Sequence, residues 1–345
     1  MSTADFLKNP SELASVLEKK TGSFSAKLLL GGFEILDAAH AIILQTAKHH
    51  CDLLIVALLP DQYFQAKYGH SHPFCSLAER TEMLLSTKYV DYVVEFSPDL
   101  IEQVQTTQAF KIISYNQSSE LASFFQNIDS SLLCPPEVSY DEPMATQYAI
   151  SKILETSGLK ASSASTVDVY AGYSPYLTEN KLLSIIPEQQ LPSFIEPWRA
   201  QQKFLITTNG SFDLLHLGHI RYLTQAKKIG GTFLVLVNDD PSIQNSKGPL
   251  RPIFNQQERM QTLASLSCID HVIPFSGDNP LYLLEQIKPN IHVKGGSFEE
   301  SRIAQEKQLV ESHGGTFQFF ELTEGLSSTN LLEKIVTFYK HTEAP

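Results

Sequence analysis

A chain of 345 residues with 42% hydrophobic, 10% aromatic and 19% charged side chains is long enough for two ordinary globular domains, each able to bury a core without disulfides or metals. Its formal net charge of -12 opposes a polyphosphate backbone, and no run of Lys and Arg interleaves with aromatics, so nucleic acid is excluded as an expected partner. Cys51, Cys75, Cys134 and Cys268 lack CxxC spacing, the N-terminus lacks an apolar h-region, and no stretch approaches the roughly 20 apolar residues of a membrane span; a cytoplasmic protein with reduced thiols and no membrane contact is expected.

In chain order, the first segment of note is Gly31-Gly-Phe-Glu-Ile-Leu-Asp-Ala-Ala-His40. It recurs as Gly210-Ser-Phe-Asp-Leu-Leu-His-Leu-Gly-His219. The offset of 179, from Gly31 to Gly210, then holds without a gap: Ala47-Lys48 matches Ala226-Lys227, Glu79-Arg80 matches Glu258-Arg259, Asp91 matches Asp270 and Asp99 matches Asp278. One register held that long marks an internal duplication. Beyond Asp99 small gaps set Ser114-Tyr115-Asn116 against Lys294-Gly295-Gly296, and Ala145-Thr146 against the Ser-Ser-Thr run at 327–329. Residues 1–155 form the first copy, 203–345 the second. Between them, 156–202 begins small and polar and is punctuated by Pro175, Pro187, Pro192 and Pro197, which reads as a linker without a repeat partner.

In the second copy, Phe204–Thr208 reads as a strand, Leu217–Ile229 as a helix ended by Gly230-Gly231, and Thr232–Val237 as a second strand. That is a βαβ unit and so a parallel sheet, with ligands expected at the carboxyl ends of the strands, where the loop Asn209–Leu215 falls. Two imidazoles at i and i+3, His216 and His219, share one face of the first helical turn. Gly218 allows close approach of a ligand, and the helix N-terminus attracts phosphate. Alone, an HxxH pair reads equally well as a surface pair or part of a metal site; no further metal ligands lie nearby in sequence, so no metal centre is expected. With Asn209, Gly210, Phe212 and Asp213 before it, the constellation reads as a triphosphate cradle.

These residues resemble the cytidylyltransferase-like superfamily of nucleotidyltransferases, whose HxGH signature stands here as His216-Leu217-Gly218-His219. Its second signature, ISSTxxI, stands as Leu326-Ser327-Ser328-Thr329-Asn330-Leu331-Leu332. Ser246-Lys247-Gly248-Pro249-Leu250-Arg251-Pro252, Glu258-Arg259-Met260 and Val293-Lys294-Gly295-Gly296 further resemble the adenylyltransferases that activate heptose 1-phosphate, over essentially the whole second copy. The resemblance implies two tandem Rossmann-like α/β domains with parallel sheets and an in-line attack of a substrate phosphate on an NTP α-phosphorus, with Mg²⁺ carried by ATP. It assigns catalysis to His216, His219 and Lys247. It assigns nucleotide binding to Asn209, Gly210, Phe212, Asp213, Gly218, Arg251, Lys294, Gly295, Gly296, Ser327, Ser328 and Thr329. Lys247 and Arg251 are expected on a loop, holding β- and γ-phosphate oxygens. The partners implied are ATP and a small phosphorylated substrate, and a homodimer is compatible with the family. A cytidylyltransferase for phosphoethanolamine or glycerol 3-phosphate is the alternative.

The first copy has Asp37 for His216, Ala39 for Gly218, Tyr68 for Lys247 and His72 for Arg251, keeping only His40. It is expected to keep the fold and lack the chemistry, with His70 and His72 in a solvated loop.

Overall fold

The computed structural model describes residues 5–7, 10–19, 24–69, 72–97, 99–100, 110–113, 142–158, 184–296, 300–321 and 325–341. The described residues divide into two compact units, the first ending at Ser151 and the second starting at Lys152. In the first, strands β1 (Asp5–Leu7), β2 (Ala26–Gly31), β3 (Leu53–Leu58), β4 (Tyr92–Glu95) and β5 (Phe110–Ile113) form a parallel sheet in the order β1-β4-β3-β2-β5. In the second, β6 (Leu205–Gly210), β7 (Thr232–Asn238), β8 (His271–Phe275), β9 (Ile291–Gly295) and β10 (Thr316–Phe320) form another, in the order β10-β9-β6-β7-β8. All pairings are parallel, and β3 and the middle of β7 are buried along their length, as sheets covered on both faces by helices require. Both central pairs, β2 with β3 and β6 with β7, carry the short apolar runs that the duplication predicts.

The duplication reaches further than the sequence comparison traced it. Phe6 pairs with Val93 at the outer edge of the first sheet, and Ile185 bridges Val272 at the outer edge of the second, again 179 residues on. A helix follows each edge segment, Pro10–Glu18 in one unit and Leu191–Ala200 in the other. Leu13 and Leu17 pack under the first sheet, and Leu191, Ile195 and Trp198 under the second. The proline-punctuated stretch expected as a linker is therefore, from residue 184 on, structural edge of the second unit. Pro192 lies in the first turn of its helix, where its missing N–H costs nothing. Pro187, Pro192 and Pro197 interrupt a segment whose Leu191, Ile195 and Trp198 keep helical apolar spacing.

At the carboxyl ends of the strands each unit carries one buried arginine with the same contacts. Arg259 donates from Nε to the Phe254 carbonyl (3.0 Å), from one terminal nitrogen to the Ser211 carbonyl (2.7 Å), and from the other to the Asn238 carbonyl (2.7 Å) and the Asp240 carboxylate (2.7 Å). Arg80 donates likewise to Cys75, Gly32, Leu59 and Asp61. Only a planar guanidinium supplies donors in this many directions from one point. Near it, Phe33 and Phe212 take the left-handed conformation (φ 52° and 46°), which the fixed neighbouring carbonyls enforce.

Replacing Arg259 by Met should orphan three carbonyls and the Asp240 carboxylate. A loss of about 3 kcal/mol is expected in unfolding followed by fluorescence of Trp198, the single tryptophan of the chain and part of the second unit's core. An unchanged denaturant midpoint would show that the carbonyls are satisfied without it.

Candidate active site

Strand β6 ends on Asn209 and Gly210, and the chain crosses to the helix Leu217–Lys228 through Ser211–Leu215. His216 occupies the N-cap position with extended backbone (φ -135°, ψ 166°), and its side chain makes no capping hydrogen bond. In the first unit Asp37 stands at the same position before the helix Ala38–His49, and its carboxylate accepts from the His40 amide at 3.0 Å. The positive end of the helix is thus quenched by a carboxylate in one unit and left open to an incoming anion in the other.

The His216 and His219 rings lie 3.9 Å apart between centroids. Neither Nδ1 has a hydrogen-bond partner among the described residues, although both are buried. An unpartnered lone pair there costs less than an unpartnered N–H, so the favoured neutral tautomer carries its hydrogen on Nε2 and offers it as a donor. Burial pushes His216 down from 6.5 to about 4. Burial likewise holds His219 well below its ordinary value, with His216 and Lys247 acting in the same direction. At neutral pH the pair is two uncharged donors.

A cavity of about 640 Å³ opens beside them. Of the residues predicted for the site, Asn209, Gly210, Phe212, His219, Lys247, Lys294 and Gly295 line it. His216, whose ring packs on that of His219, and Gly218 are not part of its lining. A methyl group on Gly218 would sit 2.9 Å from the His216 ring and 3.1 Å from the Leu326 carbonyl, and one on Gly295 would sit 2.7 Å from the Tyr222 ring. Gly296 takes φ 107°, and its amide donates to the Phe320 carbonyl at 2.9 Å, anchoring the end of β9 to β10.

Lys247 is the last residue of the helix Asp240–Lys247 rather than part of a loop, and its ammonium donates to the Ser211 hydroxyl at 2.8 Å. The Asp213 carboxylate is buried and accepts from the amides of Ile253 (2.8 Å) and Phe254 (3.1 Å) and from the Arg251 guanidinium (2.6 Å). Asp213 and Arg251 therefore bind each other and fasten the loop after Lys247 to the His216 loop. The Ser327 hydroxyl accepts from the Asn330 amide at 3.0 Å, the Ser328 hydroxyl donates to the Leu214 carbonyl at 2.8 Å, and Thr329 is exposed at the helix start. Ser328 thus ties this helix start to the His216 loop.

Sequence reasoning missed Tyr222, Asn238, Ser242, Asp278, Asn279 and Glu306, which also line the cavity. The match of Asp99 with Asp278 was the one available signal for Asp278. Glu306 lies inside the helix Glu300–Ser312 and meets Lys294 and His292 of β9, and no local pattern exposes it.

In the first unit the Asp37 carboxylate and His40 Nδ1 pair at 2.7 Å, fully buried. His72 is buried rather than solvated, 3.3 Å from Glu34 and with its ring centroid 4.1 Å from that of Phe74. Glu34, at the position of Asp213, accepts from the Phe74 amide at 2.8 Å. Each polar group left from the duplicated site has turned to an internal partner. His70 and Ser114-Tyr115-Asn116 lie outside the described residues, as do the side chains of Ala145 and Thr146.

A family model described as cytidylyltransferase-like matches residues 28–167 and again 207–334. The chain belongs to that family. Its two matched segments are the two repeats, and membership sets both units among nucleotidyltransferase folds. Curated relatives include the bifunctional protein HldE of Syntrophotalea carbinolica, 42% identical over 152 residues that make up 44% of this chain and 31% of the relative. The protein of the same name from Coxiella burnetii is 41% identical over 152 residues, 44% of this chain and 32% of the relative. The match thus spans about a third of these relatives' length. A solved lipopolysaccharide core biosynthesis protein from Thermoplasma volcanium is 28% identical, with 35% of this chain and 97% of that one covered at a TM-score of 0.30. Among the described residues no helix is long and apolar enough to cross a membrane.

Two predictions follow from this geometry. Because the folded site refuses protons on His216 down to about pH 4 while the unfolded chain takes them up below about 6.5, stability is full above 6.5 and falls as the pH drops towards 4. His216→Gln should remove about 2 kcal/mol of the loss that wild type shows between pH 7.5 and pH 5. Equal pH dependence of the two proteins would place the His216 ring in water. The second concerns the pairing of residue types at 216 and 218. Gly218→Ala alone should cost about 1–3 kcal/mol by forcing a methyl against the imidazole, and much less in a His216→Asp background, the combination that Asp37 and Ala39 already form. Additive costs would refute the steric coupling.

Proposed function

We propose that the second unit transfers the AMP group of ATP to the phosphate of a sugar 1-phosphate, heptose 1-phosphate by resemblance of its motifs, forming ADP-heptose and releasing pyrophosphate. The observation that carries this reading is the uncapped helix start at His216 with two closely packed, neutral imidazoles beside a cavity of about 640 Å³. An acceptor phosphate oxygen attacks the α-phosphorus, the bond from that phosphorus to the β-phosphate bridging oxygen breaks, and pyrophosphate leaves with the electron pair. No proton need be removed from the nucleophile, so catalysis is orientation and charge stabilisation. His216 and His219 are suited to donate to α-phosphate oxygens whose charge grows in the transition state, and the open helix end adds its dipole.

The exposed Lys247 ammonium, at the Ser211 hydroxyl on the cavity wall, is suited to meet a β- or γ-phosphate. Mg²⁺ enters as part of the ATP complex, as substrate; among the described residues no group of three His, Cys, Asp or Glu side chains could hold it. Asn238, Ser242, Asp278 and Asn279 give one side of the cavity the hydrogen-bonding character that a polyhydroxylated acceptor requires. The chemistry is assigned to the second unit alone, because Asp37 both caps the first unit's helix and occupies the position of a phosphate-binding imidazole.

Pyrophosphate release by the full chain, from ATP, CTP, GTP and UTP in turn against a panel of sugar and alcohol phosphates, tests the proposal. ATP with heptose 1-phosphate should give the fastest release. Turnover of CTP with phosphoethanolamine or glycerol 3-phosphate, and none of ATP, would overturn it.

A further inference from the structure

The inner wall of the cavity holds an ionic cluster that the transfer reaction as described does not use. Lys294, at the end of β9, lies 2.7 Å from Glu306 in the helix Glu300–Ser312, and both side chains are more than nine-tenths buried. The Lys294 ammonium also donates to Asn209 Oδ1. His292, two residues earlier on β9, takes the Thr207 hydroxyl on Nδ1 at 2.7 Å and donates from Nε2 to the same Asn209 Oδ1 at 3.2 Å, with Glu306 3.5 Å from Nε2. The Asn209 carbonyl is therefore taken by two donors from β9. Its amide nitrogen lies 3.5 Å from Glu306 Oε1, and Asn209 lines the cavity where the phosphate loop begins. With its oxygen tied down, Asn209 can face a ligand only as an N–H donor.

We propose that Glu306 is a positioning residue for nucleotidyl transfer: it holds Lys294 against Asn209, and so fixes the Asn209 amide as a donor to an oxygen of the bound nucleotide. This inference rests on the reading of the site given above. The carboxylate does two things that no neutral residue there could do together. It balances an ammonium held in a buried wall, 2.7 Å away, and it keeps that ammonium from swinging to the triphosphate as a rival to Lys247. Burial lowers the Lys294 pKa, and the Glu306 charge and hydrogen bond work against that fall. His292 stays neutral, lowered by burial and by Lys294, so the cluster carries one positive and one negative charge. Glu306 itself is held below the usual carboxylate range despite its burial, by His292 and Lys294.

Glu306→Gln keeps the shape and removes the charge. In the full chain it should leave thermal unfolding by Trp198 fluorescence cooperative and raise the KM for ATP about tenfold or more, with a smaller effect on kcat. It should also bring the basic limb of the kcat/KM profile to lower pH, as Lys294 loses its proton. Glu306→Gln with Lys294→Gln, which keeps a donor to Asn209 without either charge, should abolish that limb and recover most of the lost KM. A kcat/KM within twofold of wild type and an unmoved pH profile for Glu306→Gln would overturn the proposal. So would a double variant no better than the single one.

Wild type that releases pyrophosphate from no nucleotide would sink the nucleotidyltransferase reading instead. The titration of the Lys294 ε-carbon followed by NMR tests separately the Glu306–Lys294 coupling on which the inference stands. A shift to lower pH in Glu306→Gln supports it, and identical titrations refute it.

Discussion

The site depends on a guanidinium that holds its walls without lining its cavity. Arg259 joins the loop after β6, the end of β7, the start of the helix Asp240–Lys247 and the segment before the helix Gln256–Ala264, four stretches whose backbones would otherwise have separate freedom at the open end of the sheet. The His216 loop, Lys247 and the Asp213–Arg251 clasp are all set by those stretches. A buried arginine is expensive to desolvate, and its cost is met only where several carbonyls converge at once, as they do on all three of its nitrogens here. That convergence fixes the backbone geometry more narrowly than hydrophobic contacts could.

The first unit isolates this scaffold from the chemistry. Arg80 makes the same set of bonds, Lys48 with Asp91 repeats Lys227 with Asp270, and Phe33 repeats the left-handed turn of Phe212. What differs is where polar groups point. Asp37 closes the helix end that His216 leaves open, His40 turns to Asp37, and His72 turns to Glu34. The second unit retains unpartnered buried imidazole nitrogens and an uncapped helix start, local costs that a ligand phosphate would offset.

Neutrality is a property of this site as much as positive charge. Burial holds both imidazoles uncharged, Glu306 balances Lys294, and Asp213 balances Arg251. Among the cations predicted to meet phosphate, Lys247 is the exposed one. Directed neutral donors raise the energy of a misplaced substrate less than they lower that of a transition state whose charge grows at the point they face, which is the electrostatic logic of preorganised catalysis.

Sequence by itself determined the duplication, the parallel α/β class, the βαβ unit and the paired histidines at the helix start. Each of these is written in residues close in sequence or in one constant offset: i and i+3 on a first turn, an apolar run of strand length, the 179-residue register. Tertiary structure decided the rest. That Arg251 faces Asp213, that Lys294 is answered by Glu306, and that residues 184–200 complete a sheet edge and its covering helix depend on strands and helices brought together from distant parts of the chain. The direction of a charged side chain is set by the partner that burial leaves within reach, and in a parallel sheet that partner comes from a neighbouring strand or a crossover helix, which no local spacing of residues records.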